Sequence, residues 1–269
     1  MRWLPIFLFS ALGTLACTYN TYVVGGDGGT TDADTGTPAP SVNFFLQSVL
    51  APPSGVGPGG CIFTSDPTQG ILSKGILDVE VVKSFSDTYE AEFLAGNQFA
   101  AMGSRSNSQL DASRIVIQGA KVTVTDASGK QLASFMTLGS GFLNPSNGST
   151  PGYGSFQLTI VDPATISMLR AQLAFDERVT IVTHTQALGQ TLGGQHVASN
   201  VFEFSITACK GCLIQFDTDN ARTPIPNCYA RAPVSAPPAS VCFYGQENPS
   251  DCHVCIKDPF CLCGKASCK

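Results

Sequence analysis

Cysteine is the residue type whose spacing in this chain points most directly to chemistry. Two pairs, Cys209-Lys-Gly-Cys212 and Cys252-His-Val-Cys255, have two residues between their cysteines. Four thiolates in two such pairs, with His253 inside the second, suit a tetrahedral zinc site. A redox-active dithiol is another interpretation, but neither pair has the strand–helix–strand surroundings typical of that motif. Covalent haem is excluded, because Leu213 and Ile256, rather than histidine, follow the two pairs.

Disulfide bonds are the interpretation that the rest of the sequence favours for these cysteines. The chain has 11 cysteines, and setting Cys17 aside as a lipid-modified residue leaves an even number that an oxidising compartment pairs fully. All but one of these cysteines lie after residue 208, so full pairing requires at least one of them to reach back to Cys61. We expect that bond to hold the C-terminal segment on the preceding domain, and we expect no metal ion or cofactor. The candidate disulfide cysteines are Cys61, Cys209, Cys212, Cys228, Cys242, Cys252, Cys255, Cys261, Cys263 and Cys268.

Catalytic motifs are scarce in the sequence. The segment Gly152-Tyr-Gly-Ser-Phe156 lacks the second glycine of a serine-nucleophile turn, and neither a phosphate-binding loop nor a zinc-protease helix motif occurs. His184 and His196 fall in strand patterns, where we expect a surface or hydrogen-bonded structural role. We therefore predict no catalytic residue. The acidic residues assigned to outward strand or turn positions are Asp78, Glu80, Glu90, Glu92, Asp176, Glu177 and Glu203.

Tyr153 is the side chain that we single out as a candidate ligand contact. It lies in a segment rich in glycine, serine and asparagine, residues 144–154, which the sequence predicts to be a loop. Loops at the ends of a β-sandwich are where binding residues are often found. A sugar or a protein would suit such a loop, although an ordinary solvated loop fits the same composition.

The elements that would position these residues are mainly β-strands. Segments enriched in β-branched residues recur between clusters of glycine, proline, asparagine and serine, notably residues 139–154. The turn Ala127-Ser-Gly129 predicts a hairpin between two of them. The pattern predicts an all-β fold, a two-sheet antiparallel Ig-like sandwich followed by a disulfide-rich irregular C-terminal segment. The predicted strands are Ser41–Leu50, Ile76–Lys83, Tyr89–Leu94, Arg114–Gln118, Ala120–Asp126, Gln131–Met136, Ser155–Val161, Arg178–Gln186 and His196–Thr207.

One short helix is predicted within this pattern. Asp162 is a good N-cap, and Pro163 suits the first helical position. Ile166, Leu169 and Leu173 follow at helical spacing. In a sandwich, such an element would connect strands of the two sheets, so we expect its role to be structural.

The beginning of the chain is typical of an exported protein. Residues 1–16 combine Arg2, an apolar run from Trp3 to Leu12 and small residues at the end, as in a secretory signal peptide. Thr14-Leu-Ala-Cys17 is similar to the lipobox at which bacterial lipoproteins are cleaved and acylated, although its leucine stands one place later than usual. We predict lipidation of Cys17, with ordinary cleavage after Ala16 as the alternative.

Composition divides the rest of the chain into three segments. Residues 17–40 are small, polar and acidic, which predicts a disordered tether behind the lipidated Cys17. Residues 41–208 form the predicted sandwich domain, and residues 209–269 form the cysteine-rich segment, which we expect to pack on the sandwich. The net charge is −5, so nucleic acid is not an expected partner.

The C-terminal half carries a family resemblance. The stretch from Ser199 to Leu213, which ends in a C-x-G-C-L step, resembles predicted lipoproteins of myxobacteria, as do Cys242-Phe-Tyr-Gly-Gln-Glu247 and Cys252-His-Val-Cys255. Those proteins are similar in having a lipobox, a tether rich in Asp, Thr and Gly, a β-rich body and a cysteine-rich end. The resemblance implies an envelope location and a β-rich body, and it brings no activity or functional residue with it.

The function expected from these features is that of a membrane-anchored envelope lipoprotein with a non-enzymatic binding or structural role. We expect the chain to be exported and held in the outer membrane, on its periplasmic or surface face, by the lipid on Cys17. An envelope protein or a glycan is the expected ligand. An envelope hydrolase acting on polysaccharide or peptide is the alternative, because carboxylate pairs assemble from distant strands. A zinc-binding module is the second alternative.

Overall fold

The computed structural model describes residue 38 and residues 40–53, 61–82, 86–102, 111–215 and 242–251. Within these ranges, no helix is both long enough and apolar enough to cross a membrane. The longer elements are β1 (Phe44–Leu50), β4 (Tyr89–Asn97), β5 (Ile115–Asp126), β6 (Gln131–Leu143), β7 (Gly152–Val161), α2 (Pro163–Gln172), β8 (Arg178–Thr191) and β9 (His196–Cys209). The shorter ones are β2 (Ile71–Leu72), β3 (Gly75–Asp78), α1 (Val79–Val82), β10 (Ile214–Gln215) and β11 (Ser250–Asp251).

Two β-sheets pack on one shared core. One sheet has the strand order β2-β1-β4-β7 and the other has the order β3-β9-β8-β5-β6. Buried apolar side chains from both sheets, among them Phe44, Phe93, Leu143 and Ile206, belong to a single cluster. The predicted two-sheet, all-β sandwich with a short helix is therefore confirmed.

The second sheet departs from a purely antiparallel arrangement at one edge. β3 pairs with β9 in parallel, with Asp78 opposite Cys209. The prediction of an antiparallel sandwich is wrong for this pair. Because parallel neighbours run in the same direction, β3 and β9 end at the same edge of the sheet, and their last residues meet there.

Residues 76–83 do not form the single strand that the sequence predicts. β3 ends at Asp78 and α1 begins at Val79. The reason is local, because the Asp78 carboxylate accepts hydrogen bonds from the backbone N–H groups of Glu80 (3.0 Å) and Val81 (3.4 Å), as a helix cap does. All four residues of α1 are buried, so the apolar run fills the core as a helical turn rather than as a strand.

Strands β6 and β7 extend into the segment predicted to be a turn-rich separator. β6 continues to Leu143 and β7 begins at Gly152. Glycine is needed here for close packing between the sheets rather than for a turn. A Cβ added to Gly141 would lie 2.9 Å from Phe156 Cβ, and one added to Gly139 would lie 2.5 Å from Leu158 Cδ2.

The opposite side of the sandwich is closed by β1 and β9. The Leu46 N–H donates to Asn200 Oδ1 at 2.8 Å, and the Ser41 N–H donates to the Ala198 carbonyl at 2.8 Å. The two sheets therefore contact each other along both sides of the sandwich.

Helix α2 matches its sequence pattern. The Asp162 carboxylate accepts from the Thr165 N–H at 3.1 Å and caps the first turn. Ile166 and Leu169 are buried, and Leu173 is the C-cap. The helix connects β7 of one sheet to β8 of the other, in agreement with the predicted connection.

Candidate functional site

Cys209 and Cys212 lie at the edge where β3 and β9 end. β9 ends at Cys209, and the parallel register places Asp78 opposite it. The chain then turns at Gly211, whose φ of 83° lies in the left-handed region that favours glycine. A Cβ on Gly211 would collide with the ring of Phe175, so the ring packs directly on this turn. The fold therefore brings a carboxylate and a pair of cysteines to one point.

The Asp78 carboxylate holds the turn between the cysteines. Its Oδ1 accepts from the Gly211 N–H at 2.9 Å, and its Oδ2 accepts from the Leu213 N–H at 2.9 Å. The same Oδ1 also caps α1, so one side chain connects the end of β3, the α1 turn and the cysteine loop. Asp78 has no solvent exposure. Such a group is retained in a core because its hydrogen bonds are satisfied.

Two opposing effects act on the protonation of Asp78. Burial raises the pKa of its carboxyl group, because the charged form loses its hydration. The N–H groups of Leu213, Gly211, Glu80 and Val81 favour the charged form and lower the pKa. Burial is the larger effect, so the pKa of Asp78 lies above its ordinary value.

The two cysteines are joined in a disulfide, and their exposure differs. Cys209 and Cys212 are three residues apart and form one of the disulfides of the described residues. Cys209 is completely buried, whereas Cys212 is half-buried. Both sulfurs and a carboxylate oxygen of Asp78 lie within 4.8 Å of one another. Of the two residues, Cys212 therefore has accessible surface, whereas Cys209 has none.

The second disulfide joins Cys61 to Cys242, across a separation of 181 residues. Closing such a large loop stabilises the folded state by about 5 kcal/mol in the chain-entropy treatment, because it restricts the unfolded chain. The short Cys209–Cys212 loop contributes about 2 kcal/mol in the same treatment. Of these two bridges, the long one therefore contributes more to stability. The short bridge adds little to a turn that Asp78 already holds.

Residues 242–247 return to the sandwich beside β3. The Asp78 N–H donates to the Gly245 carbonyl at 2.8 Å, and the Glu247 N–H donates to the Ile76 carbonyl at 3.1 Å. The Ile76 N–H donates in turn to Glu247 Oε1 at 3.0 Å. This segment acts as a short additional strand on the free side of β3, and the Cys61–Cys242 bond fixes its beginning.

Glu247 is half-buried where this segment meets the core. The Tyr89 hydroxyl donates to Glu247 Oε1. Burial raises the pKa of the Glu247 carboxyl, although the Tyr89 and Ile76 hydrogen bonds oppose the change. Burial, together with the neighbouring carboxylate, also raises the pKa of Tyr89 well above its ordinary value. The pair makes a polar contact between the C-terminal segment and the first residue of β4.

An ion pair and a lysine fix helix α2 against this end of the molecule. Arg170 Nε and Nη2 donate to Glu80 Oε2 and Oε1 at 2.8 and 2.9 Å, in a two-pronged arrangement. Lys210 Nζ donates to the carbonyls of Arg170 (3.0 Å) and Leu173 (3.3 Å) at the helix C-terminus. A cation at that position is favourable, because the unpaired carbonyls carry partial negative charge. Lys210, one of the two residues between the cysteines, is thereby attached to α2.

Two acidic residues are not where the sequence interpretation placed them. Asp78 and Glu80 were predicted at outward positions, but they are 0% and 5% exposed. Their partners explain the difference, because Gly211 and Arg170 lie 133 and 90 residues away in the chain. An aspartate at the end of a strand, followed by a short apolar run, is the local signal that could have indicated a buried cap.

Tyr153 is not on an exposed loop. It lies in β7, where it is half-buried and pairs with Gly96 of β4. The predicted loop placement is wrong, because β7 begins at Gly152, before the tyrosine rather than after it. His184 contacts Thr125 and Glu203 on the sheet surface, at 3.3 and 3.4 Å, in a hydrogen-bonded surface position.

Several predicted residues lie outside the described part of the chain. The signal peptide, the lipidation site Cys17 and almost all of the tether precede it. The cysteines and histidine concerned in the later segment are Cys228, Cys252, Cys255, Cys261, Cys263, Cys268 and His253.

A metal site would draw on Asp78, Cys209 and Cys212, which come together among the described residues. Zinc binds thiolates, however, and the two sulfurs are bonded to each other here. The arrangement therefore suits sulfur chemistry at the disulfide better than metal binding.

Comparison with known proteins identifies no family. No protein-family model matches the chain, and no curated protein matches it. Among solved structures, a protein from Archaeoglobus fulgidus matches with 15% sequence identity and a TM-score of 0.26. That match covers 44% of this chain and 82% of the other.

Proposed function

We propose that this protein is an exported, lipid-anchored protein of the bacterial cell envelope, with a binding or structural role rather than a catalytic one. The observation that carries the proposal is the Cys61–Cys242 disulfide, which closes a loop across most of the sandwich. Disulfides of this kind persist in oxidising compartments and are rare in the cytosol. The leader-like residues 1–16 and the lipobox-like segment at Cys17 agree with export.

The surface that best suits a partner is the outer face of β6. Met136, Leu138 and Phe142 are 64%, 91% and 53% exposed at alternate positions of that strand. Val116 of β5 is 39% exposed and lies opposite Phe142. Contiguous exposed apolar side chains are a feature of protein-contact surfaces, although single ones are common everywhere. An envelope protein is therefore the partner we propose for this face.

Anchoring is tested in a bacterium that processes lipoproteins and is fed an alkyne-labelled fatty acid. We expect the full chain to carry the label and to enter the detergent phase on phase separation. Cys17→Ala should lose both properties and appear in the aqueous phase. An unlabelled wild-type chain, or a Cys17→Ala variant that still enters the detergent phase, would contradict the proposed anchor.

Partner binding is tested by crosslinking in envelope extracts with substitutions on the proposed face. We expect one discrete crosslinked species that Met136→Ser combined with Leu138→Ser abolishes. Val42→Ser is the matched control, because Val42 is 86% exposed and lies just before β1, a strand of the other sheet. A species that survives the double substitution, or one lost equally in the control, would contradict binding through β6.

A further inference from the structure

The turn between Cys209 and Cys212 is held by contacts that do not depend on its disulfide. The Gly211 and Leu213 N–H groups donate to the two oxygens of Asp78, each at 2.9 Å. Lys210 attaches the turn to the end of α2 through two carbonyls. Cys209 itself belongs to β9 and pairs with both β3 and β8. Opening the sulfur–sulfur bond would therefore leave the two sulfurs close to each other on a folded scaffold.

The difference in exposure determines which sulfur an external thiol attacks. Cys212 is half-buried, so part of it contacts solvent, whereas Cys209 has no exposed surface. Thiol–disulfide exchange proceeds by direct attack of a thiolate on an accessible sulfur. Attack at Cys212 makes Cys209 the leaving group, and it leaves within 4.8 Å of the Asp78 carboxyl group.

We propose that Cys209 and Cys212 form a redox-active pair that exchanges its disulfide reversibly with external thiols while the sandwich stays folded. The substrates are thiols small enough to reach Cys212, such as glutathione-type peptides or cysteines on exposed protein segments. Asp78 is a positioning residue in this proposal, because it keeps the reduced sulfurs within bonding distance. The activity is separate from the proposed envelope role, and neither depends on the other.

The reaction balances with two thiols as the reductant. A first thiol gives its proton to a base in solution, and its thiolate attacks Cys212, forming a mixed disulfide and releasing the Cys209 thiolate, which takes up a proton. A second thiolate attacks the sulfur of the first, so an external disulfide leaves and the Cys212 thiolate is protonated. Two thiols are oxidised to one disulfide, and the protein disulfide accepts two electrons and two protons.

The first test places the full chain in buffers with increasing ratios of reduced to oxidised glutathione. Thiols are trapped with an alkylating reagent and located by peptide mass mapping, and near-UV circular dichroism follows the fold. We expect Cys209 and Cys212 to be alkylated in half of the molecules at a glutathione ratio that leaves the near-UV spectrum unchanged. If both remain bonded until the spectrum of the folded state is lost, the bridge is purely structural and the proposal is wrong.

The second test compares single-cysteine variants. In Cys209→Ser the remaining Cys212 should form a mixed disulfide with oxidised glutathione at least about tenfold faster than Cys209 does in Cys212→Ser, because reaction rate follows access. Equal rates in two folded variants would contradict the assigned direction of attack.

A third test addresses Asp78. Asparagine offers a single acceptor oxygen, so Asp78→Asn loses either the Gly211 or the Leu213 hydrogen bond. We expect half-reduction of Cys209–Cys212 at about a tenfold lower glutathione ratio, because the loosened sulfurs recombine less readily. Asp66→Asn is the control, since Asp66 is exposed and its carboxylate accepts from Thr68 within its own turn. An Asp78→Asn midpoint equal to that of the control would rule out the positioning role.

Discussion

Asp78 connects several segments at the edge of the sandwich where β3 and β9 end. Its oxygens accept from the α1 turn and from the cysteine loop, and its backbone N–H pairs with Gly245. The α1 turn, the cysteine loop and the segment around Gly245 therefore meet at this one buried residue. A buried acceptor of this kind is costly to remove, because its former donors are left without partners in a place that water does not reach.

Replacement of Asp78 by alanine should destabilise the protein by about 3 kcal/mol or more, since at least two buried N–H groups each lose their partner. The measurement is the free energy of unfolding in urea. Asp162→Ala gives a comparison, because it removes the cap of α2 at a less buried site and should cost only about 1 kcal/mol. Equal, small losses in both variants would show that Asp78 does not connect these segments.

The Glu80–Arg170 ion pair gives a second prediction at the residue scale. Arg170→Met leaves Glu80, which is 5% exposed, without its counter-charge. Breaking a buried pair in this way costs about 3 kcal/mol. Combining it with Glu80→Leu should recover most of the loss, because both charges are then absent. Arg178→Met, at an exposed position, should be nearly neutral in the same denaturation assay.

The pH dependence of stability follows from the raised pKa of Glu247. The unfolded carboxyl ionises near pH 4, whereas the folded one ionises at higher pH. The folded state therefore binds more protons in this window, and the contribution of Glu247 to stability is full below the unfolded pKa and lost as pH rises through the folded pKa. Glu247→Gln should remove this loss and flatten the dependence of the urea midpoint on pH.

Asp66 supplies the opposite control for that experiment. Hydrogen bonds from Thr68 lower the pKa of Asp66, so its contribution is present above the unfolded pKa and lost as pH falls. Asp66→Asn should therefore change the slope of the urea midpoint against pH in the opposite sense from Glu247→Gln. Slopes that change in the same sense would contradict the burial effect at Glu247.

At the scale of the elements, the seam between β6 and β7 depends on glycine. Gly141→Val would force a side chain against Phe156 Cβ, which already lies 2.9 Å from the position of a single added carbon. Such overpacking typically costs about 1–3 kcal/mol. The neighbouring Ser140→Val is the control, because Ser140 is exposed on the same strand. Equal thermal unfolding midpoints in the two variants would show that β6 and β7 can move apart to accommodate the larger side chain.

The strands and the α2 helix were predictable from the sequence because their signals are local. Alternating apolar residues and the turn at Ala127-Ser-Gly129 place the hairpin of β5 and β6 correctly. The segment 76–83 misled the same reasoning, since Val79, Val81 and Val82 are β-branched like strand residues but follow a capping aspartate. The extension of β6 to Leu143 was missed because glycine usually indicates a turn, and here it allows a neighbouring strand to approach.

At the scale of the whole molecule, sequence patterns could not predict the hydrogen bonds between β3 and residues 242–247. Ile76 and Glu247 are 171 residues apart, and no local signal pairs them. The number of cysteines was more informative, because full pairing requires a bond between Cys61 and a cysteine of the C-terminal segment. It does not identify which cysteine that is. The structure identifies Cys242 as that partner.

Removing the long bridge should release residues 242–251 from β3. In Cys61→Ser combined with Cys242→Ser, the amides of Ile76 and Asp78 lose the fixed acceptors Glu247 and Gly245. We expect faster hydrogen exchange at both amides and a destabilisation of about 2–5 kcal/mol. Cys209→Ser combined with Cys212→Ser should leave these amides protected, because Asp78 still holds that turn. Unchanged exchange in the first double variant would contradict the role of the bridge.

The most direct measurement is a map of the Cys61–Cys242 bond in protein taken from the cells that make it. Free thiols are alkylated during lysis, and the protein is digested without reductant. Peptides joined through Cys61 and Cys242, with neither residue alkylated, are the expected result. Recovery of both peptides separately, each alkylated before any reduction, would mean that the chain resides in a reducing compartment, and the proposed export and crosslinked fold would then be wrong.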